Sequence, residues 1–408
     1  MSASEKIGRP PALWVLFFVM QAIPQGLDLD KLIRLGMEKN PDLLISRQET
    51  TGAGQDTTTA AIPSNPILEA DAFHNLSDGS KPKAGAKISK EFQPGVLEGK
   101  QNVARAKWAS KREWQSVKEL DVALAIRADY FDWQILNRKK ALQRDVRERW
   151  AGLARLTSAK MAEGKLSQID QAQAQLNLAH SKQKELETQS DMASQEKRLA
   201  YLVGLERLPD SLATMNTDSL PDLPPLDSVW SWVNRENPEL KALDRDIALE
   251  NERLALEQRL RNPSFSLSLN YDRETDGQNL VGGGIGIPLP LFNRNQAGVV
   301  AAKSSLRTSE LKRIAAEQKL KTDLAEIHGK LIKLSERYRN YAGEIRDLSR
   351  KQMALSEQGF RQGVMSVLDL SKVQEESLNQ ELEALEILQV YHQLWNQLGR
   401  LVGGKTWQ

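Results

Sequence analysis

The chain has 408 residues, with 56 Lys and Arg against 54 Asp and Glu, and a formal net charge of +2. This near-neutral charge argues against a nucleic-acid binder, whose binding domain is strongly basic. A mean hydropathy of −0.50 excludes a polytopic helical membrane protein, because each spanning helix needs about 20 mostly apolar residues. The absence of cysteine excludes disulfides, thiolate zinc sites and cysteine nucleophiles.

The N-terminal segment has the pattern of a secretory signal. Lys6 and Arg9 precede an apolar stretch over residues 12–20, which is too short to span a bilayer. We therefore predict that residues 1–26 are a signal peptide that is removed from the mature protein. The alternative is a buried N-terminal helix.

The sequence contains one internal repeat, which is the first feature to establish in a chain of this length. Short motifs recur in the same order at offsets of 196 to 199 residues, among them Asn40-Pro41-Asp42-Leu43 with Asn237-Pro238-Glu239-Leu240, Asn65-Pro66 with Asn262-Pro263, and Gly164-x-x-Ser167-x-x-Asp170 with Gly363-x-x-Ser366-x-x-Asp369. We predict a first structural repeat over residues 27–206, a linker over 207–225 and a second repeat over 226–404.

Each repeat is predicted to begin with a helix and continue into a β-hairpin. Asp30 and Asp227 are the expected N-caps of helices that run to residues 62 and 261, ahead of the Asn-Pro pairs. The strand that follows in the second repeat alternates apolar and polar residues. Its predicted lipid-facing side consists of Phe265, Leu267, Leu269 and Tyr271, opposite Ser264, Ser266, Ser268 and Asn270.

The return strands are predicted over residues 84–92 and 280–289. Strands of about ten residues with one apolar and one polar face are typical of membrane β-barrels. Glycines at 282, 283, 284 and 286 do not form a phosphate-binding loop, because Pro288 follows where a helix should begin.

Two very long helices are predicted after the hairpins, over about residues 97–163 and 295–362. Each is about 100 Å long at 1.5 Å per residue, a length that calls for coiled-coil partners. The return helices, 167–204 and 366–403, are shorter. We expect each repeat to form two parallel rods, one continuous and one assembled from the first helix and the return helix.

This architecture indicates a pore. Unpaired strand edges in lipid cost several kcal/mol for each orphan backbone group, and four strands cannot close a barrel, since bacterial barrels begin at eight. The chain must therefore oligomerise, with eight strands from two copies or twelve from three. The predicted fold class is an α+β membrane protein with long helical hairpins and four transmembrane β-strands per chain.

The duplicated plan resembles the TolC-type outer membrane efflux protein family over about residues 27–404. Within this family the sequence is most similar to the cobalt-zinc-cadmium resistance (CzcC-like) branch. The motifs that carry the resemblance are the order of the repeats, the Asn-Pro-Glu-Leu helix start, the Gly-x-x-Ser-x-x-Asp turns and the strand-to-helix junction Ile287-Pro-Leu-Pro-Leu-Phe-Asn-Arg-Asn-Gln296 with Pro288, Pro290, Phe292 and Asn293.

The resemblance implies a homotrimer in the bacterial outer membrane. A twelve-stranded barrel would continue into a periplasmic tunnel of twelve helices. The far end would dock on a periplasmic adaptor (membrane fusion) protein and an inner-membrane RND-type proton-driven transporter. By implication the protein is a passive conduit in a tripartite efflux system, with divalent heavy-metal cations as the expected substrate.

The two Gly-x-x-Ser-x-x-Asp turns are predicted to be helix reversals with capping boxes, in which the serine is the N-cap and the aspartate lies at N3. In the resembled family this turn lies at the periplasmic mouth, where the residue matching Asp369 belongs to an acidic constriction. The resemblance therefore makes Asp369, Asp170 and Lys372 candidates for the pore constriction. It makes the following residues candidates for the periplasmic tip and adaptor contact: Gly164, Leu166, Ser167, Gly363, Met365 and Ser366.

Two departures from the family pattern affect the gate. Lys372 stands one turn after Asp369, where many relatives carry a second acidic residue, and Met365 occupies a place where some relatives have a basic lock residue. We therefore expect this gate to be held by other contacts.

No dedicated metal site, cofactor or catalytic constellation is predicted. The four histidines, His74, His180, His328 and His392, are isolated along the chain, and the sequence has no HExxH motif. Metal selectivity would then reside in the pump, and the protein is not expected to be an enzyme.

Three alternatives remain open at this stage. The channel could export organic drugs or serve type I secretion of proteins, or the chain could be a periplasmic coiled-coil adaptor. An adaptor would carry one helical hairpin inserted into small β-domains, whereas this sequence predicts two equivalent hairpins with strand pairs.

Overall fold

A computed structural model describes residues 27–73, 83–209, 212–218, 220–274 and 276–404. The predicted signal peptide and the polar tip of the first β-hairpin lie outside these residues. Within them, no helix has both the length and the hydropathy needed to cross a membrane.

The chain is mostly helical, with one small antiparallel sheet, which confirms the predicted fold class. Elements of the first half are α1 (Leu29–Lys39), α2 (Pro41–Thr59), β1 (Ile67–Phe73), β2 (Lys83–Phe92), α3 (Val96–Ala162) and α4 (Gln168–Leu202). Those of the second half are α5 (Leu226–Glu236), α6 (Pro238–Arg259), β3 (Phe265–Arg273), β4 (Asn279–Gly286), α7 (Gln296–Asn340), a π-helical turn (Tyr341–Ile345), α8 (Arg346–Gln362) and α9 (Val367–Leu401). The order is the same in both halves, while the predicted domain boundaries stay predictions.

The prediction of one continuous helix before each hairpin is wrong, because the chain breaks at Asn40 and Asn237. Each asparagine is extended and caps the helix after it, accepting a hydrogen bond from the amide of Leu43 or Leu240. Proline at the first position of α2 and α6 suits this arrangement, since it has no N–H to satisfy there. The Asn-Pro motif is thus a helix boundary.

The predicted N-caps Asp30 and Asp227 are also wrong. Asp28 caps α1 through its side chain, and Pro225 precedes α5 without a side-chain cap. Asp30 and Asp227 lie in the first turns instead, where an acidic side chain still interacts favourably with the helix dipole.

Two further boundaries differ from the sequence prediction. The second long helix is interrupted by the π-helical turn, which accommodates an extra residue within a helix. The last strand ends at Gly286 rather than at residue 289. Pro288 and Pro290 explain this, because proline cannot donate to a strand ladder.

All four strands form one antiparallel sheet in the order β1-β2-β3-β4. The central pair joins the two halves of the chain, with Ile88 opposite Leu269 and Ala86 opposite Tyr271. Within the described residues, the outer edges of β1 and β4 have no partner strand.

The helices pack around α3, which contacts α1, α2, α4, α6 and α9. Equivalent apolar clusters form at the base of each half, one around Leu32, Ile126 and Leu199 and the other around Val229, Leu324 and Leu398. The helices therefore form one continuous bundle that extends away from the sheet.

Candidate functional site

The sheet separates two chemically different faces. The cross-strand register places Leu68 beside Ile88, Ile88 beside Leu269 and Leu269 beside Gly283 on one face. The candidate lipid-facing residues Phe265, Leu267, Leu269 and Tyr271 all lie on this face, and Phe265 stacks on Phe92 with ring centres 5.4 Å apart.

The opposite face is polar. Asp71, Gly85 and Asp272 lie side by side across three strands, and two ion pairs stand on the same side of the sheet, Lys87 with Glu69 at 3.1 Å and Lys83 with Glu274 at 2.7 Å. Such a face is suited to a water-filled interior.

The two helix reversals at the far end of the bundle are built alike. Gly164 and Gly363 have φ of +71° and +81°, a left-handed conformation that glycine adopts without steric cost. The amides of Lys165 and Val364 reach back to carbonyls five residues earlier, which closes each helix end.

The predicted capping box is complete in the first reversal. The Ser167 hydroxyl accepts from the amide of Asp170, and the Asp170 carboxylate accepts from the amide of Ser167. In the second reversal the predicted box is incomplete: Ser366 accepts from the Asp369 amide at 3.1 Å, but the Asp369 carboxylate accepts from the Ser366 hydroxyl, at 2.6 Å, and not from its amide. Both aspartates therefore stabilise a helix start.

The side chains of the tip divide into packed and exposed groups. Leu166 and Met365 pack against a small apolar cluster that contains Phe360, Val367 and Leu370. The candidate constriction residues Asp369 and Lys372 are exposed, and Asp170 is half-buried. No ion pair joins Asp369 to Lys372 in this part of the chain. Their role in a constriction stays a prediction.

One contact between the two tips was missed by the sequence analysis. The Lys160 amine on α3 donates to the main-chain oxygens of Phe360 and Arg361 at 3.3 and 3.2 Å, and it lies 5.2 Å from the centre of the Phe360 ring. A cation at the last carbonyls of a helix interacts favourably with its dipole. No motif marks Lys160, because only the packing of the two hairpins brings it to α8.

The junction residues form an exposed segment between β4 and α7. Phe292 is almost fully exposed and Pro288 is exposed. The Asn293 side chain accepts a hydrogen bond from the Asn295 amide at 2.9 Å. Asn295 has a positive φ of 55° and donates its side-chain amide to Glu257 on α6, which fixes the start of α7.

A polar seam joins the two halves between α3 and α9. Asp132 accepts from the side-chain amides of Gln389 at 2.9 Å and Gln393 at 3.2 Å. His392, next to Gln393, stacks on Phe131, next to Asp132, with ring centres 4.2 Å apart, and its Nε2 lies 3.1 Å from the Thr217 oxygen. Burial lowers the pKa of His392 below its ordinary value.

The histidines do not converge. His328 lies 2.8 Å from the Pro224 oxygen, His392 is part of the seam, and His180 is exposed; His74 lies outside the described residues. Over those residues, no three His, Asp or Glu side chains are grouped so as to hold a metal ion.

The described residues combine a long helical bundle with a small sheet that has one apolar face, one polar face and two edges without a partner strand, an arrangement suited to one subunit of a membrane channel. A family model described as "Outer membrane efflux protein" matches residues 232–404. The resemblance drawn from the sequence is thereby confirmed over that part of the chain: residues 232–404, less than half of the chain, match the outer membrane efflux protein family, and the predicted location in the bacterial outer membrane agrees with this match.

A curated relative is the cobalt-zinc-cadmium resistance protein CzcC of Cupriavidus metallidurans. It is 30% identical over 155 residues, and the match spans 36% of this chain and 36% of the relative's length. Because the chain covers about a third of that relative, the substrates and partners of this chain are proposals.

Solved structures show the same fold over nearly the whole chain. Crystal structures of CusC superpose with a TM-score of 0.80 at 15% identity, covering 99% of this chain and 100% of the other. The outer membrane protein VceC of Vibrio cholerae gives 0.76 at 16% identity, with 92% and 96% covered. The homologues are outer membrane channels rather than enzymes, in keeping with the predicted absence of catalysis.

Proposed function

We propose that the protein is the outer-membrane channel of a tripartite efflux system, a passive conduit that works as a homotrimer. The supporting observation is a mismatch between the two repeats: surfaces that the chain itself covers in the second repeat are left open in the first.

The mismatch is clear in the helices. The helix α6 packs on both α7 and α3, whereas its equivalent α2 packs on α3 and lacks a second long helix. Ile45 on α2 is 59% exposed, while Ala242, its equivalent 197 residues later, is fully buried. Leu186 on α4 is 64% exposed, while Leu385, 199 residues later, is 8% exposed.

The α7 helix of a second copy would cover these open faces in the way that α3 covers their equivalents. The sheet would be completed in the same way. Strand β4 of one copy would pair with β1 of the next, and this pairing would satisfy the backbone groups of both edges. Each added copy brings the same open surfaces with it, so all of these surfaces are covered only when the copies close into a ring. Three copies give the twelve strands expected for this family.

The proposed substrate is a divalent heavy-metal cation. The support is the identity shared with the cobalt-zinc-cadmium resistance protein. The proposed partners, a periplasmic adaptor protein and an RND-type proton-driven transporter, are those that the family resemblance implies.

Assembly is tested with Leu186→Asp. A carboxylate at a position buried between copies is expected to abolish most of the heat-modifiable oligomer in outer-membrane extracts. The matched control is Val364→Asp, because Val364 is also apolar and exposed but lies at the tip, where α4 begins, about 27 Å from Leu186 along that helix. An undiminished Leu186→Asp oligomer, or a wild-type protein found in the soluble periplasm, would contradict the proposal.

The substrate is tested in a deletion strain. Loss of the protein should lower tolerance to zinc, cobalt or cadmium, and plasmid-borne wild-type protein should restore it. Unchanged metal tolerance with increased sensitivity to organic drugs would instead assign the channel to drug export.

A further inference from the structure

The two repeats differ in the connection between the sheet and the long helix. Three residues, 93–95, join β2 to α3, whereas nine residues, 287–295, join β4 to α7. The short connection is held by the Gln93 side chain, which donates to the Asn262 oxygen at 2.8 Å. The extra length in the second repeat is therefore available for contacts outside the chain.

The longer connection is apolar and exposed. Ile287, Leu289, Leu291 and Phe292 are 58%, 76%, 68% and 90% exposed. An apolar surface of this kind on one short segment indicates an interaction site. Val281 and Ile285 of β4 lie on the apolar face of the sheet. Ile287, Leu289 and Leu291 continue the same every-second-residue pattern along the sequence.

The backbone of this segment needs few hydrogen-bond partners. Pro288 and Pro290 have no N–H group, and the Leu291 amide bonds to the Leu289 oxygen at 2.8 Å. An extended segment without a partner strand is otherwise costly next to hydrocarbon. The two prolines lower that cost.

Two cations border the apolar surface. Lys90 lies on the apolar face between Ile88 and Phe92, with its amine 5.4 Å from the Phe92 ring centre. Arg294 is exposed at the end of the segment and donates its Nε to the Pro290 oxygen at 3.0 Å. Neither side chain forms an ion pair with a carboxylate in the described part of the chain.

We propose that residues 287–294, together with Lys90, form an interfacial anchor that binds the phospholipid surface of the periplasmic leaflet. The leucines and Phe292 enter the boundary of the acyl chains, while Lys90 and Arg294 bind headgroup phosphates, an arrangement typical of membrane interfaces. The inference rests on the proposed channel, because it requires the apolar face of the sheet to contact lipid.

Continuity with the apolar face and the unpaired cations both favour lipid over a second copy of this chain as the occupant. A second copy would cover the apolar residues but would need carboxylates for Lys90 and Arg294. The anchor would fix the height of the barrel in the membrane and the point at which the helices leave it.

The absence of cysteine permits a direct test by labelling a single introduced thiol. Phe292→Cys carrying a bimane label is reconstituted, as the full-length oligomer, in phosphatidylcholine–phosphatidylglycerol vesicles with brominated acyl chains. We expect the label to lose about half of its fluorescence or more relative to unbrominated vesicles. Val364→Cys at the distant tip is the matched control and should lose none.

Channel conductance is recorded on the same preparations, so that a failure of the anchor proposal can be distinguished from a failure of the channel proposal. Normal conductance with an unquenched label at residue 292 overturns the anchor while leaving the channel intact. A label that is buried equally in detergent and in vesicles, and is unquenched by bromine, assigns the segment to a contact between copies. Absence of both oligomer and conductance overturns the proposed function and the anchor with it.

The charges are tested with the double variant Lys90→Gln, Arg294→Gln. Phosphatidylglycerol should raise the temperature at which the wild-type oligomer dissociates, relative to phosphatidylcholine alone, and the double variant should lose this rise. Lys312→Gln, an exposed change on α7 about 24 Å from the start of the helix, is the control and should keep it. An equal rise in the double variant overturns the phosphate contacts.

Discussion

Lys160 and Phe360 join the tips of the two helical hairpins: the Lys160 amine lies 3.3 Å from the Phe360 oxygen and 5.2 Å from the centre of its ring. They come from different repeats, 200 positions apart. This contact holds the end of α8 against α3 at the place where the family resemblance expects a gate.

Lys160→Met should loosen the tip, because it keeps the aliphatic part of the side chain and removes the donor to the α8 carbonyls. The expected loss is about 1 kcal/mol at this one contact. Single-channel recordings should show more frequent open events than in the wild type. Lys351→Met, an exposed lysine on α8, is the control, and equal opening of both variants would remove the role assigned to Lys160.

Asp369 and Ser366 allow the charge at the tip to be separated from its capping role. Asp369→Asn should reduce the preference of the channel for cations, because three carboxylates around one axis attract cations. Ser366→Ala removes the cap at a cost of about 1 kcal/mol while keeping the charge. Reversal potentials in asymmetric salt provide the measurement, and unchanged selectivity in Asp369→Asn would leave that residue with capping alone.

The Asn237 side chain makes two hydrogen bonds, one as an acceptor and one as a donor. Its side chain accepts from the Leu240 amide at 2.9 Å and donates to the Leu401 oxygen at 2.8 Å, so it ties the start of α6 to the end of α9. Asn237→Ala should destabilise the fold by about 2–4 kcal/mol, from the lost cap and the unpaired Leu401 carbonyl. Thermal unfolding followed by circular dichroism measures this.

Asn237→Asp is the informative comparison, since it keeps the acceptor and loses the donor. It should unfold at an intermediate temperature at a pH where its carboxylate is ionised, because only the protonated carboxyl has an O–H that could donate to the Leu401 oxygen. Equal unfolding temperatures of the alanine variant and the wild type would show that the two bonds contribute nothing.

His392 should make the seam between α3 and α9 sensitive to acid. Burial lowers its pKa in the folded chain, and the nearby Arg127 adds to this, while the Thr217 oxygen and Asp218 oppose it. The unfolded chain therefore binds the proton more readily. The stabilising contribution of neutral His392 is complete above the unfolded pKa of about 6.5 and is lost as the pH falls below it.

His392→Gln removes this titration and keeps a donor for the Thr217 oxygen. The unfolding temperature of the wild type should fall more steeply than that of the variant between about pH 6.5 and pH 5. Parallel curves would mean that His392 is protonated as easily in the folded chain as in the unfolded one.

The sequence by itself determined the order of the elements, the two faces of the strands, the helix reversals and the family resemblance. These features depend on neighbours in the chain: alternation places Leu267 and Leu269 on one face, and Ser167 reaches the Asp170 amide within a single turn. They can be predicted because the residues that interact are at most a few positions apart.

Only the tertiary structure decided which distant carbonyls the Asn40 and Asn237 side chains bind, the Lys160 contact and the seam around Asp132. Each depends on a residue more than 150 positions away, and nothing in the local sequence specifies which distant carbonyl or amide will be near. The contrast between Leu186 and Leu385 arises in the same way. Both leucines lie among charged residues of a long helix, and only the packing of the whole chain leaves Leu186 exposed and buries Leu385.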